Sequence, residues 1–323
     1  MSQQDQSANI FSNLEEYGDA DDVDERQRQI RLWKESLGEQ WELLTDDRMV
    51  IFGMITIAVF GVVAIIAPLL APYGPTERDT MAMLRWEDPY WMGGAGDHIL
   101  GTTAEGYDIL SQVIYGTRPA LIVGLTAAVF CAGVGTSVAL VAGYYGGRVD
   151  DFLMRIVDIA YGLPLLPTVI LMVAMLGPSF VNVIIAVVLV MWRAPARVIR
   201  SQVLSLRERP FVQAAQITGA SDWRIITRHI APNVLPLTFL YGAFAIAWGI
   251  LTEAGVSFTG LGDPSQVSWG TMLQGAHTNN ALTHGTWWWF IPPGICITLV
   301  VISGFLIGRG YEEVTNPALR NER

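Results

Sequence analysis

The sequence predicts an all-α, polytopic membrane protein with six transmembrane helices. Three observations carry that reading. Of 323 residues, 51% are hydrophobic and only 15% are charged, well below the quarter or so usual in soluble domains. Residues 49–71, 119–147, 159–192, 229–252 and 264–308 contain no Asp, Glu, Lys or Arg, and a spanning helix needs roughly 20 apolar residues. Arginine is also unevenly placed. With the N-terminus inside, the inner segments hold Arg48, Arg148, Arg155, Arg193, Arg197, Arg200, Arg207, Arg209, Arg224, Arg228 and Arg309, and the outer ones only Arg78, Arg85 and Arg118. That bias marks cytoplasmic loops, so both termini are expected in the cytoplasm.

The elements follow in order. Residues 1–48 carry 13 acids and 5 bases, most of the chain's net charge of −10. Residues 1–25 have no apolar periodicity and read as a disordered acidic tail. Lys34 is the single lysine beside 19 arginines, a composition that fits a halophile with a GC-rich genome or, equally, an ordinary acidic tail. No cleavable leader is expected, because the chain starts polar and acidic. Residues 26–48 form an amphipathic segment with Ile30, Trp33, Leu37, Trp41 and Leu44 three or four apart. This reads as an interfacial helix; packing on the protein is the alternative. Residues 49–117 are the first span (49–71) and an external segment. Residues 118–310 form the core, with spans at 119–145, 153–176, 180–199, 234–257 and 287–308, and 311–323 is a cytoplasmic tail. Gly177-Pro178-Ser179 splits the long uncharged run, and the polar stretch 264–286 reads as a loop.

Within the spans, Gly135, Ala139 and Gly143 recur every fourth residue and read as a close-packing face. Pro164 and Pro167 are expected to kink the third span; they and Glu253, toward the outer end of the fifth, are the candidates for a pathway or gate. Asp158 has Arg155 one turn before it as the expected partner. Charged groups at membrane depth are costly and face protein or water. Trp287-Trp288-Trp289 reads as an interfacial anchor. Cys131 and Cys296 read as free, buried thiols.

Several chemistries find no support. A phosphate-binding loop needs Gly-rich backbone followed by Gly-Lys-Ser/Thr, and Lys34 sits in Leu-Trp-Lys-Glu-Ser. The chain therefore binds no nucleotide by that device, and an enzyme is not expected. His98, His229, His277 and His284 do not converge in sequence and read as exposed or interfacial, with no metal. Seven arginines cluster in 193–228. They suit anionic headgroups or an acidic partner, and nucleic acid is not expected.

The most informative stretch is polar: Phe211-Val-Gln-Ala-Ala-Gln-Ile-Thr-Gly219-Ala-Ser-Asp-Trp-Arg-Ile-Ile-Thr-Arg-His-Ile-Ala-Pro232. Its grammar is helix, glycine stop, a second helix capped by Ser221 or Asp222, then a proline stop. It resembles the EAA loop of ABC importer permeases: Ala214, Ala215, Gly219 and Pro232 fall at matching positions, with Gln213 in place of the acid. Ile250-Leu-Thr-Glu253-Ala-Gly-Val-Ser-Phe-Thr-Gly-Leu-Gly262 with Ser268-Trp-Gly270, Gly143–Asp158 and Gly308–Arg320 extend the resemblance from about residue 30 to the C-terminus. It is closest to the C-type subunit of dipeptide, oligopeptide and nickel importers.

That resemblance implies a type I ABC importer permease fold with a cytoplasmic coupling-helix loop. It implies four kinds of neighbour: a homologous B-type permease, two ATPase subunits that bind ATP and Mg, an extracytoplasmic solute-binding protein, and the lipid bilayer. The chain itself would hold no cofactor. The ATPase-coupling residues it implies are Gln213, Ala214, Ala215, Gly219, Ser221, Asp222, Arg224, Ile225, Arg228 and Pro232, with Ile225, Ile226 and Ile230 as the apolar contact. A stand-alone secondary transporter or channel is the alternative; it would need coupling-ion residues near the midplane, for which only Asp158 and Glu253 are available.

Overall fold

The computed structural model describes residues 45–79, 87–94 and 96–315. The expected acidic tail, residues 26–44 of the amphipathic stripe and residues 316–323 lie outside these. The contacts below fall within the unit Met49–Arg323. The described residues are nearly all helical, with five helices long and apolar enough to cross a membrane, or six if one bent pair counts as a span.

Helix α1 (Arg48–Leu70) is apolar throughout. Pro68 lacks an N–H, which leaves the Ala64 carbonyl without its helical donor. Arg118 Nε fills that place at 2.6 Å, and its Nη2 reaches the Ile65 carbonyl at 3.3 Å. Arg118 is thus an intramolecular staple within α2 (Ile109–Tyr145), whose 37 residues run unbroken through Pro119. The expected start at 119 is therefore ten residues late: Asp108 caps the helix, its carboxylate accepting from the Ser111 N–H at 2.7 Å.

The expected third span, 153–176, is instead two helices, α3 (Gly147–Tyr161) and α4 (Leu165–Leu176), bent by 86°. Pro164 is extended (φ −67°, ψ 136°) and disfavours helix at Leu163, so it breaks the chain rather than kinking it, while Pro167 sits in the first turn of α4. One side of α3 is ionic. Asp158 pairs with Arg197, not with Arg155, and Asp150 takes a two-pronged bond from Arg200. Its other side exposes Phe152, Ile156 and Ile159. Both arginines belong to α5 (Phe180–Arg207), a 28-residue helix started by Ser179, which accepts from the Asn182 N–H.

After α6 (Pro210–Ile217) comes α7 (Asp222–Leu261), 40 residues long and so roughly 60 Å. Helix α7 packs along α2 and along α10 (Trp287–Thr315), and α2 along α5. The small-residue face of α2 makes the α2–α5 crossing close: a Cβ on Gly143 would lie 2.6 Å from Val203 Cγ1.

The stretch expected as a loop, 264–286, contains α8 (Trp269–Thr278) and α9 (Ala281–His284). Ser268 and Thr271 form a reciprocal capping box. Trp269 is buried, donates from Nε1 to the Val113 carbonyl at 2.9 Å and meets the Phe60 ring edge-on. Of the three tryptophans expected as anchors, Trp288 and Trp289 are buried and only Trp287 is exposed. Cys131 is buried and Cys296 half-buried, both as free thiols. His277 and His284 are exposed, but His98 is buried, contrary to its expected exposure.

Candidate coupling site

At the end of the bundle where α2 and α5 finish, the chain turns into a helix pair. Helix α6 begins with Pro210, whose missing N–H costs nothing in a first turn. It ends in a two-bond Schellman cap: Ala220 N–H donates to Ala215 O and Gly219 N–H to Gln216 O, both at 3.0 Å. Gly219 has φ +80°, the left-handed region that side chains with a Cβ avoid. Space around it is open, with nothing within 4 Å of an added Cβ, so glycine is needed here for its backbone angle alone.

Ser221 caps the second helix, its Oγ accepting from the Arg224 N–H at 3.4 Å. Asp222 is not the cap; its Oδ1 accepts from the Tyr144 hydroxyl at 2.8 Å, which ties the start of α7 to the end of α2. The expected stop at Pro232 does not occur. Helix α7 passes through it, by way of a π-helical turn over Ile225–Ile230 in which Ala231 N–H donates to Ile226 O. The wider turn relieves the clash of a proline ring with the carbonyl one turn back. The second helix of the pair is therefore continuous with α7 through Pro232.

A buried apolar cluster glues the pair to the bundle. Ile225, Ile226 and Ile230 pack with Val212, Ile199, Val203 and Leu206. This overturns their expected place as a contact surface: Ile225 is 1% exposed and Ile230 0%. Gln213, Ala214, Gly219, Ser221, Asp222 and Arg224 share the exposed surface, while Ala215, Arg228 and Pro232 are half-buried. The outward apolar residues are Phe211, Ile217 at 87% exposure and Trp223 at 74%. Sequence reasoning missed them, although a tryptophan directly after a Ser-Asp cap in a polar loop has no reason to face inward.

The pathway candidates do not converge. Pro164 and Pro167 are exposed at the α3–α4 bend. Glu253 is buried near the far end of α7, where it accepts from Ser257 Oγ at 2.7 Å. Ser257, not Glu253, borders a cleft of about 430 Å³ shared with Tyr107, Gln112, Asp263, Gln266 and Gln274. Asp263 bridges elements at this end, accepting from the Phe180 N–H at 3.0 Å. The hydrogen bond from the Ser265 side chain, with smaller help from the Phe180 and Ser265 N–H groups, holds its carboxyl below the usual carboxylate range against an opposing push from burial that is second only to the Ser265 side chain. A lowered carboxylate stabilises above its unfolded range, so this bridge is complete at neutral pH and fades only as pH falls through the lowered value.

Residues 135–321 match the family model described as binding-protein-dependent transport system inner membrane component, and residues 36–89 match the N-terminal TM domain of oligopeptide transport permease C. The chain is 32% identical over 289 residues to the dipeptide transport system permease protein DppC of Haemophilus influenzae, covering 89% of this chain and 96% of that one. It is 33% identical over 305 residues to the oligopeptide transport system permease protein OppC of Bacillus subtilis, covering 94% of each. A family model spanning more than half the chain, together with relatives matched almost end to end, places this protein among the inner-membrane permease components of binding-protein-dependent ABC importers.

Proposed function

We propose that this chain is a permease subunit of an ATP-driven, binding-protein-dependent importer of peptides. It forms the translocation path with a homologous B-type permease, receives cargo from an extracytoplasmic solute-binding protein, and is coupled through residues 205–233 to ATPase subunits that bind ATP and Mg. The peptide cargo rests on the names of its relatives. Arginine bias supports a cytoplasmic position for the helix pair and both termini.

The observation that carries the coupling role is the construction of the helix pair. Phe211, Ile217 and Trp223 face outward from a segment whose other side is buried and whose second helix continues into α7. A push on that surface is transmitted along a continuous helix into the membrane, which is rigid-body switching of a two-state element. The secondary-transporter reading gains nothing here: Asp158 is paired with Arg197, and Glu253 is buried against Ser257.

Affinity purification of the chain from its native membrane tests the assignment. A second permease and an ATPase pair should copurify, and the chain alone in a transport-active preparation would overturn it. Orientation has a separate test. A cysteine in place of Ser265 should react with an impermeant reagent from outside; reaction only from inside reverses the topology.

A further inference from the structure

We propose that the segment joining α1 to α2 holds a divalent transition-metal ion of the zinc class, bound by Asp79, Glu87 and His98. The inference is independent of the transport reading, and it departs from the metal-free expectation. One ligand atom from each residue falls in a group no wider than 4.8 Å. His98 is 2% exposed, and its Nε2 has no hydrogen-bond partner among the described residues. A buried, unsatisfied ring nitrogen is costly and calls for an explanation.

The other face of the ring supplies it. His98 Nδ1 lies 2.9 Å from Asp108 Oδ1. Asp108 accepts there, so Nδ1 carries the proton and Nε2 presents its lone pair to the carboxylates. A carboxylate behind a histidine that faces a metal is the usual way of fixing the ligand tautomer. Asp79 Oδ2 stands 3.5 Å from Nε2, long for a hydrogen bond. Two ligands on a tetrahedral zinc lie about 3.4 Å apart, from bond lengths near 2.1 Å. One imidazole with two carboxylates suits a borderline first-row ion, whereas calcium prefers six or more oxygens.

The ligands are held in advance of binding. Asp79 N–H donates to Gly106 O at 2.9 Å, and His98 O accepts from Gly101 N–H at 3.2 Å. Glu87 exchanges two bonds with Thr102, through its N–H to Oγ1 and its carbonyl from the Thr102 N–H, both 3.1 Å. All three backbones are thus pinned to residues 101–106, which lead into the Asp108 cap of α2. The Asp79 side chain is 37% exposed, so an ion has an open approach and room for a water ligand. Bound there, it would clamp the segment after α1 onto the start of α2.

The test uses the full chain in detergent, stripped with a chelator and dialysed against zinc sulfate, with bound metal measured by mass spectrometry. Wild type should bind about one zinc per chain tightly. Glu87→Gln and Asp79→Asn should weaken that binding at least about tenfold with unchanged circular dichroism and gel-filtration profiles, and Asp108→Asn by about 10–100-fold. His98→Ala should abolish it; if that variant misfolds, the two carboxylate variants decide. Zinc absent from wild type at saturating concentration would overturn the proposal. Equal zinc in all four variants would also overturn it, by placing the metal on other histidines.

Discussion

Truncating Trp223 to alanine should break docking without harming the fold. Trp223 is 74% exposed. A tryptophan offers roughly 200 Å² to a partner, so covering the exposed part removes about 150 Å² from water. At about 25 cal/mol per Å², that is a gross gain of about 3–4 kcal/mol. Ordering and polar desolvation consume part of it, leaving a loss near 2 kcal/mol, or roughly 30-fold in affinity, for Trp223→Ala. Ile217→Ala should lose less, because its side chain is smaller. The stability of the permease should change by no more than about 0.5 kcal/mol in either case. Ile225→Ala is the contrast: at 1% exposure it should cost about 2–5 kcal/mol of folding stability. The assay is titration of purified ATPase onto detergent-solubilised permease complex, with a thermal melt of each variant alongside. Wild-type affinity from Trp223→Ala would refute the assigned surface, whatever the melt shows.

Two further outcomes follow from the same geometry. Arg224→Glu should weaken ATPase binding several-fold at low salt and hardly at all in molar salt, where the Debye length is about 3 Å; a salt-independent loss would mean that Arg224 acts through the fold. Gly143→Ala should destabilise the α2–α5 crossing by about 1–3 kcal/mol, because its Cβ would lie 2.6 Å from Val203 Cγ1. Combining it with Val203→Ala should recover part of that loss in thermal melts, and strict additivity would argue against the contact.

Much of this architecture was legible because membrane spans announce themselves by composition. The uncharged runs locate α1, α2, α5, α7 and α10, and residue type alone marks Gly219 as the stop and narrows the cap to Ser221 or Asp222, between which the structure selects Ser221. What failed has physical causes. Arg118 looked like a boundary, but the carbonyls at Ala64 and Ile65 satisfy it, so α2 starts ten residues earlier. Pro232 looked like a stop, but the π turn before it absorbs the ring. Pro164 and Pro167 suggest a kinked span, whereas Pro164 is itself extended and separates two helices bent by 86°. The polar stretch 264–286 reads as unstructured because its helices are short and their buried residues, Trp269, Met272, Ala276 and Ala281, are spaced among polar ones.

The isoleucines of the 205–233 loop show the limit most clearly. A periodic apolar face identifies a contact but not whether the partner is the same chain or another. Burial of Ile225, Ile226 and Ile230 against α5 settles that for this loop, and the outward role passes to Phe211, Ile217 and Trp223. Likewise, nothing in the spacing of Asp79, Glu87 and His98 links them; the turns around Gly101 and Gly106 bring them together.

The central claim is that the 205–233 helix pair, held in shape by the glycine turn, couples ATPase motion to the membrane. Gly219→Val tests it most directly. With φ +80° and nothing within 4 Å of an added Cβ, the Cβ meets no neighbouring atom, and the backbone's own cost is about 1–2 kcal/mol or more for a β-branched residue. Because α7 is anchored by Tyr144 and the buried isoleucines, the strain falls on α6. The measurement is cargo uptake by the reconstituted complex carrying Gly219→Val, with ATPase occupancy recorded in the same preparation. The account predicts that the ATPases remain at least partly bound and uptake stops; wild-type uptake with the ATPases bound would contradict it.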